Sequence, residues 1–124
     1  MIRKPALKKI AEYLEDTKSL RIAKDQLASY QHLQKKCMTT KKRSYDTIIA
    51  RQIEIVENLQ LQVNRDRCDL SRFVRTEEDH FMIFYLHYVK NRTLQQVADY
   101  THYTKDGVVK ILQRIKKKCT QLNR

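Results

Sequence analysis

A chain of 124 residues has room for one domain, or a small domain with an extension, and its single glycine and single proline leave few turns between what must be long helices. Its 26 Lys+Arg against 14 Asp+Glu give a formal charge of +12, which points to a polyanion, nucleic acid before membrane. Three cysteines without a CxxC pair, four histidines without zinc-ligand spacing, no Gly-rich phosphate loop and no apolar run longer than FMIFYLHYV argue against a disulfide scaffold, a metal centre, an enzyme and a membrane span.

Residues 2–37 are helix formers with apolar positions at Leu7, Ile10 and Leu14, then at Leu20, Ala23, Leu27, Tyr30 and Cys37. Steps of three and four make a narrow stripe suited to packing on another helix. The polar stretch Asp16-Thr17-Lys18-Ser19 either breaks this segment or bends it. MTTKKRSYD, residues 38–46, has loop chemistry, and Lys35 and Lys36 precede it to make a basic tip with Lys41, Lys42 and Arg43. From about Tyr45 to Asp69 the stripe resumes through Ile49, Gln52 or Ile53, Val56, Leu59 and Val63. Residues 1–72 are therefore expected to form an antiparallel helical hairpin or coiled coil, a dimerisation region completed by a second copy. Folding back onto the C-terminal region is the competing arrangement.

Residues 73–124 follow a different pattern. Thr76 reads as an N-cap ahead of Glu77, Glu78 and Asp79, acids that favour the positive end of a helix. The helix continues through Phe81, Ile83, Phe84, Leu86 and Tyr88 and ends at 90–92. Thr93-Leu94-Gln95-Gln96 has the capping-box form and opens a short helix to about Tyr100. Thr104 caps the last helix, with Tyr103 and Val108 placed for a hydrophobic staple. One side of that helix buries Val108, Ile111 or Leu112, Ile115 and Cys119. Two short capped helices joined by about three residues make a helix-turn-helix. Of the turn residues Thr101, His102 and Tyr103, His102 best tolerates a positive φ. Gly107, the one glycine, falls in the first turn of the last helix. It either lets that helix approach a ligand closely or is an inexpensive substitution.

Residues 76–119 resemble region four of bacterial sigma factors. LHY at 86–88, TLQQVA at 93–98, TKDGV at 104–108 and RIKKK at 114–118 carry the resemblance, in the family's order and spacing. The whole layout also resembles small phage late-gene regulators of the RinA/ArpU type. The resemblance implies an all-α fold whose last helix enters the major groove of double-stranded DNA. Base-reading positions would be Lys105, Asp106, Val109, Lys110 and Gln113. Lysines suit guanine, Asp106 suits the cytosine amine or simply the helix N-terminus, and Val109 suits a thymine methyl. Arg92, Thr93, Gln95, Thr104, Arg114 and Lys117 would hold phosphates, with Lys116 and Lys118 adding general attraction.

The expected role is a sequence-specific transcription regulator, an activator of a phage or prophage late operon. It would act as a homodimer in the cytoplasm of a bacterial host, with host RNA polymerase as a possible second partner and with no cofactor, catalytic residue, metal or membrane. The absence of tryptophan and the short chain leave no obvious room for the promoter-melting domain of a sigma factor. Alternatives are a small terminase subunit binding packaging-site DNA, and a regulator that binds sigma or polymerase without reading DNA.

Overall fold

Of the two seams that the sequence marks, the one on the first helix extends without interruption. In the computed structural model, which describes residues 2–37 and 42–122, helix α1 runs Lys4–Lys36 and α2 runs Lys42–Ser71. The polar stretch at 16–19 neither breaks nor ends α1, and the Thr17 hydroxyl donates to the Leu14 carbonyl at 2.9 Å within the helix. The loop expected at 38–46 is shorter, because α2 begins at Lys42; its remainder, 38–41, lies outside the described residues. Then follow α3 (Asp79–Phe84), a π-helical turn (Tyr85–Val89), α4 (Leu94–Thr101) and α5 (Lys105–Leu122). Among the described residues there is no strand, and no helix is long and apolar enough to cross a membrane.

The chain divides into two compact units, Leu14–Arg65 and the pair of segments Met1–Tyr13 with Asp66–Arg124. The sequence suggests a single cut near residue 72. Instead, the first three turns of α1 and the last of α2 join the C-terminal helices.

In the unit Leu14–Arg65 the two helices face each other along seams spaced by threes and fours, Leu20, Ala23, Leu27, Tyr30 and Gln34 against Tyr45, Ile49, Gln52, Val56, Leu59 and Val63. Leu20, Ala23, Gln52 and Val63 are buried and the rest are half-buried. Gln52, not Ile53, is the seam residue: its amide donates to the Ala23 carbonyl at 3.0 Å and to the Gln26 side chain at 3.3 Å, while Ile53 is exposed. A buried amide satisfied at one level only fixes the register of the antiparallel pair. Gln34 and Asp46 are hydrogen-bonded nearer the tip.

In the other unit, α1 contributes Ala6, Leu7, Ile10 and Tyr13 to the core. Tyr13 packs edge-on to Phe84, with ring centroids 6.2 Å apart, and donates to the Tyr88 carbonyl at 3.2 Å. Leu70, Phe81, Ile83, Phe84, Tyr85, Val97, Ala98, Val108, Ile111, Leu112, Ile115 and Cys119 complete this core. Both Ile111 and Leu112 are buried. Burial also pushes the Cys119 thiol up to about 11.

Thr76 does not cap α3. The N-cap is Glu78, because residues 72–77 are already folded into turns, with the Thr76 and Glu77 N–H groups both donating to the Phe73 carbonyl. Glu77, expected to serve the helix dipole, is turned inward, its side chain 2% exposed. It accepts from the Arg3 guanidinium at 3.0 Å, and the same guanidinium reaches the Thr76 carbonyl at 3.2 Å. Only Asp79 of the three acids lies in the first turn of α3.

Candidate nucleic-acid interface

Helix α5 has an apolar side and a polar side set by its 3.6-residue period. Val108, Ile111, Leu112, Ile115 and Cys119 are buried, which leaves Asp106, Lys110, Gln113 and Lys117 along the opposite side at steps of four, three and four. Arg114 flanks this stripe, and Lys105 stands at the helix start. All six are exposed, whereas Val109 is half-buried. The stripe thus gathers Asp106, Lys110 and Gln113 of the expected reading positions on one surface, with Val109 recessed at its edge and Lys105 turned off it at the helix start. No ion pair among the described residues takes up Lys105, Lys110, Arg114 or Lys117. Cations left without internal partners are available to an external anion.

The start of α5 is fixed by Thr104, whose hydroxyl accepts from the Gly107 N–H at 3.0 Å and whose carbonyl accepts from Val108 N–H at 3.0 Å. A capping hydroxyl that accepts still has its own hydrogen to donate, so Thr104 can both cap and hold an anion. Gly107 has ordinary negative φ. A Cβ built there would lie 3.1 Å from the Thr104 hydroxyl and 3.9 Å from the Tyr103 ring. The glycine leaves space for the cap beside it. Tyr103 is partly exposed and sits edge-on to His80, with centroids 6.5 Å apart.

Helix α4 has the full capping box: Thr93 accepts from Gln96 N–H at 3.1 Å, and the Gln96 side chain accepts from Thr93 N–H at 3.0 Å. It ends on His102 in the left-handed conformation, φ 65°, the residue the sequence nominates. The link from α4 to α5 is His102-Tyr103-Thr104.

The segment leading into α4 is held just as closely. Lys90 N–H bonds the Tyr85 carbonyl at 3.1 Å, closing the π turn, and Arg92 N–H bonds the Leu86 carbonyl at 3.0 Å. Asn91 between them is left-handed, φ 55°, a conformation in which helices commonly end. His87 Nδ1 lies 2.9 Å from the Arg92 carbonyl. A carbonyl only accepts, so the proton sits on Nδ1. His87 therefore positions the backbone of Arg92 and Thr93, a role with no motif in the sequence. Arg92, Thr93 and Gln95 are all exposed, and the Gln95 amide donates to Asp99 at 2.9 Å. Beside them a groove of about 300 Å³ opens between Leu86, Arg92, Gln96, Val97 and Tyr100.

Two of the basic residues are otherwise engaged. The Lys116 ammonium lies over the Tyr88 ring, 5.2 Å from its centroid, and Lys118 is half-buried. Lys116 thus tethers α5 to the π turn. No family model matches this chain, and neither the curated proteins nor the solved structures yield a match.

Proposed function

We propose that this chain is a sequence-specific double-stranded DNA-binding transcription regulator in which α4 and α5 act as a helix-turn-helix and α5 reads the major groove. The observation that carries the reading is the polar side of α5. Exposed Lys105, Asp106, Lys110, Gln113, Arg114 and Lys117 stand on a helix anchored by five buried residues on its other side. A rigid helix with donors, an acceptor and uncommitted cations along one stripe meets the demands of base edges flanked by phosphates.

In this reading Lys105 and Lys110 donate to guanine O6 and N7, Asp106 accepts from a cytosine amine, and Gln113 pairs with a base further along. Arg92, Thr93 and Gln95 at α4, with Thr104, Arg114 and Lys117, hold the backbone. The resemblance to sigma region four and to phage late-gene regulators makes activation of a phage or prophage late operon the proposed setting. Two copies would read two half-sites.

Selection of bound sequences from a random duplex pool, with wild type and with Lys105→Ala and Lys110→Ala, tests the assignment. Each variant is expected to relax preference at a different position of the selected motif. Unchanged motifs in both variants at several salt concentrations would remove α5 as the reading helix.

A further inference from the structure

The hairpin of the unit Leu14–Arg65 has two unlike faces. Each residue immediately preceding a seam position is rotated by one residue to the same side of its helix, and in an antiparallel pair those two sides form one face. Of the residues so placed, before Leu20 to Gln34 on α1 and before Tyr45 to Val63 on α2, only Arg51 is charged, and Lys36, before Cys37, adds a second cation at the tip end. Those that follow the same seam positions, on the other face, include Arg21, Lys24, Lys35, Asp46 and Glu57. On a chain with 32% charged residues, a face this free of charge is set apart.

The uncharged face also carries large aliphatic side chains in solvent. Ile22 and Leu33 are each 46% exposed, Ile48 is 42% and Ile55 is 41%. Ile48 and Ile55 are one heptad apart, in phase with the seam beside them. A shallow cleft of about 280 Å³, lined by Ile22, Asp25, Gln26, Ser29 and Tyr30, lies along the α1 part of this face.

We propose that this face docks on the same face of a second copy, so that two hairpins stack into a four-helix bundle. Charge complementarity argues for a second copy as the occupant. Arg51 is the cation in the middle of the face, with Lys36 at its tip end, and Asp25 is the anion bordering its cleft; neither Arg51 nor Asp25 has an ion-pair partner among the described residues. The Gln52 to Ala23 hydrogen bond sets Asp25 and Arg51 at matching levels of the hairpin. A two-fold axis along the hairpin lays α1 of each copy over α2 of the other with levels preserved, so each Asp25 meets Arg51 of the second copy. Elsewhere two copies of a +12 chain repel, and this face is where they can approach. Helices ~10 Å wide with stripes ~25 Å long give roughly 1,000 Å² of buried surface in total, the lower bound of a specific interface.

The proposal specifies the two-copy part of the function above and does not rest on DNA reading. Sedimentation equilibrium of the full chain without DNA, across the micromolar range, tests it. Wild type is expected at twice 14.9 kDa. Ile22→Glu/Ile55→Glu is expected at the monomer mass with its helical circular dichroism intact, while Gln31→Glu/Gln60→Glu on the other face stays dimeric. Arg51→Asp and Asp25→Arg should each raise the dimer Kd roughly tenfold, and the double swap should restore it. A monomeric wild type, or an Ile22→Glu/Ile55→Glu variant as dimeric as wild type, overturns the proposal. Failure of the swap to rescue overturns the parallel stacking. With no DNA in the cell, failure here leaves the α5 reading standing, and a failure of DNA binding leaves this face standing.

Discussion

Replacing Gly107 with alanine sets two effects of similar size against each other. Alanine favours a helix over glycine by about 1 kcal/mol in an interior position and by less in a first turn. Against this, the new methyl would sit 3.1 Å from the Thr104 hydroxyl, closer than a Cβ normally approaches its neighbours. That hydroxyl cannot step aside freely, because it accepts the Gly107 N–H at 3.0 Å and so caps α5. Loss of such a cap is worth ~1 kcal/mol. The two effects nearly cancel, so Gly107→Ala alone should change stability by less than about 0.5 kcal/mol. Thr104→Ala alone should destabilise by ~1 kcal/mol, and adding Gly107→Ala to it should recover about 0.5–1 kcal/mol because the opposing hydroxyl is gone. Urea denaturation followed by circular dichroism measures all four corners of this cycle. If Gly107→Ala stabilises by the same amount with and without Thr104, crowding of the cap is not what the glycine relieves. DNA affinity of the single variant then separates a stability role from a role at the interface.

Four further outcomes follow from the fold. His102, at φ 65°, should give a more stable protein as His102→Gly and a less stable one as His102→Val, by about 1 kcal/mol or more for the β-branched residue, in the same denaturation assay. Cys119 is held neutral to about pH 11 by burial, so at pH 8 a thiol reagent should label exposed Cys68 quickly and Cys119 only on the timescale of unfolding. Because the Cys119 pKa is raised in the folded state, its contribution is complete below pH 9 and is lost as pH rises towards 11, so Cys119→Val should flatten the stability decline over that window. His87→Ala removes the hold on the Arg92 carbonyl and should weaken DNA binding while leaving the sequence preference of α5 intact, measured by anisotropy and by motif selection.

The local punctuation of the C-terminal helices could be read from residue types alone. Thr93-x-x-Gln96 forms both bonds of the capping box, His102 takes the left-handed position, and Thr104 caps α5, because each depends on contacts within three or four residues. The seams of α1 and α2 were legible for the same reason. Contacts across long separations were not. Arg3 binds Glu77, Tyr13 binds Tyr88, and Cys119 lies against the Leu7 carbonyl, pairings more than seventy residues apart that no local pattern announces. Thr76 misled for this reason: its place as a cap was taken by turns that Arg3 and Phe73 hold. At the candidate interface, the stripe on α5 followed from periodicity, but the engagement of Lys116 by Tyr88 and the support of Arg92 by His87 required the π turn to be seen.

The central claim is that the polar side of α5 and the start of α4 close on DNA, and its most direct test is the binding constant for duplex DNA as a function of monovalent salt. Each phosphate neutralised contributes about −0.9 to the slope of log K against log salt, so Arg92, Arg114 and Lys117 alone predict a slope of roughly −3 per copy. Arg114→Ala/Lys117→Ala should make that slope shallower by about 2. A binding constant that does not change with salt, or a slope that the double variant leaves intact, would contradict the account.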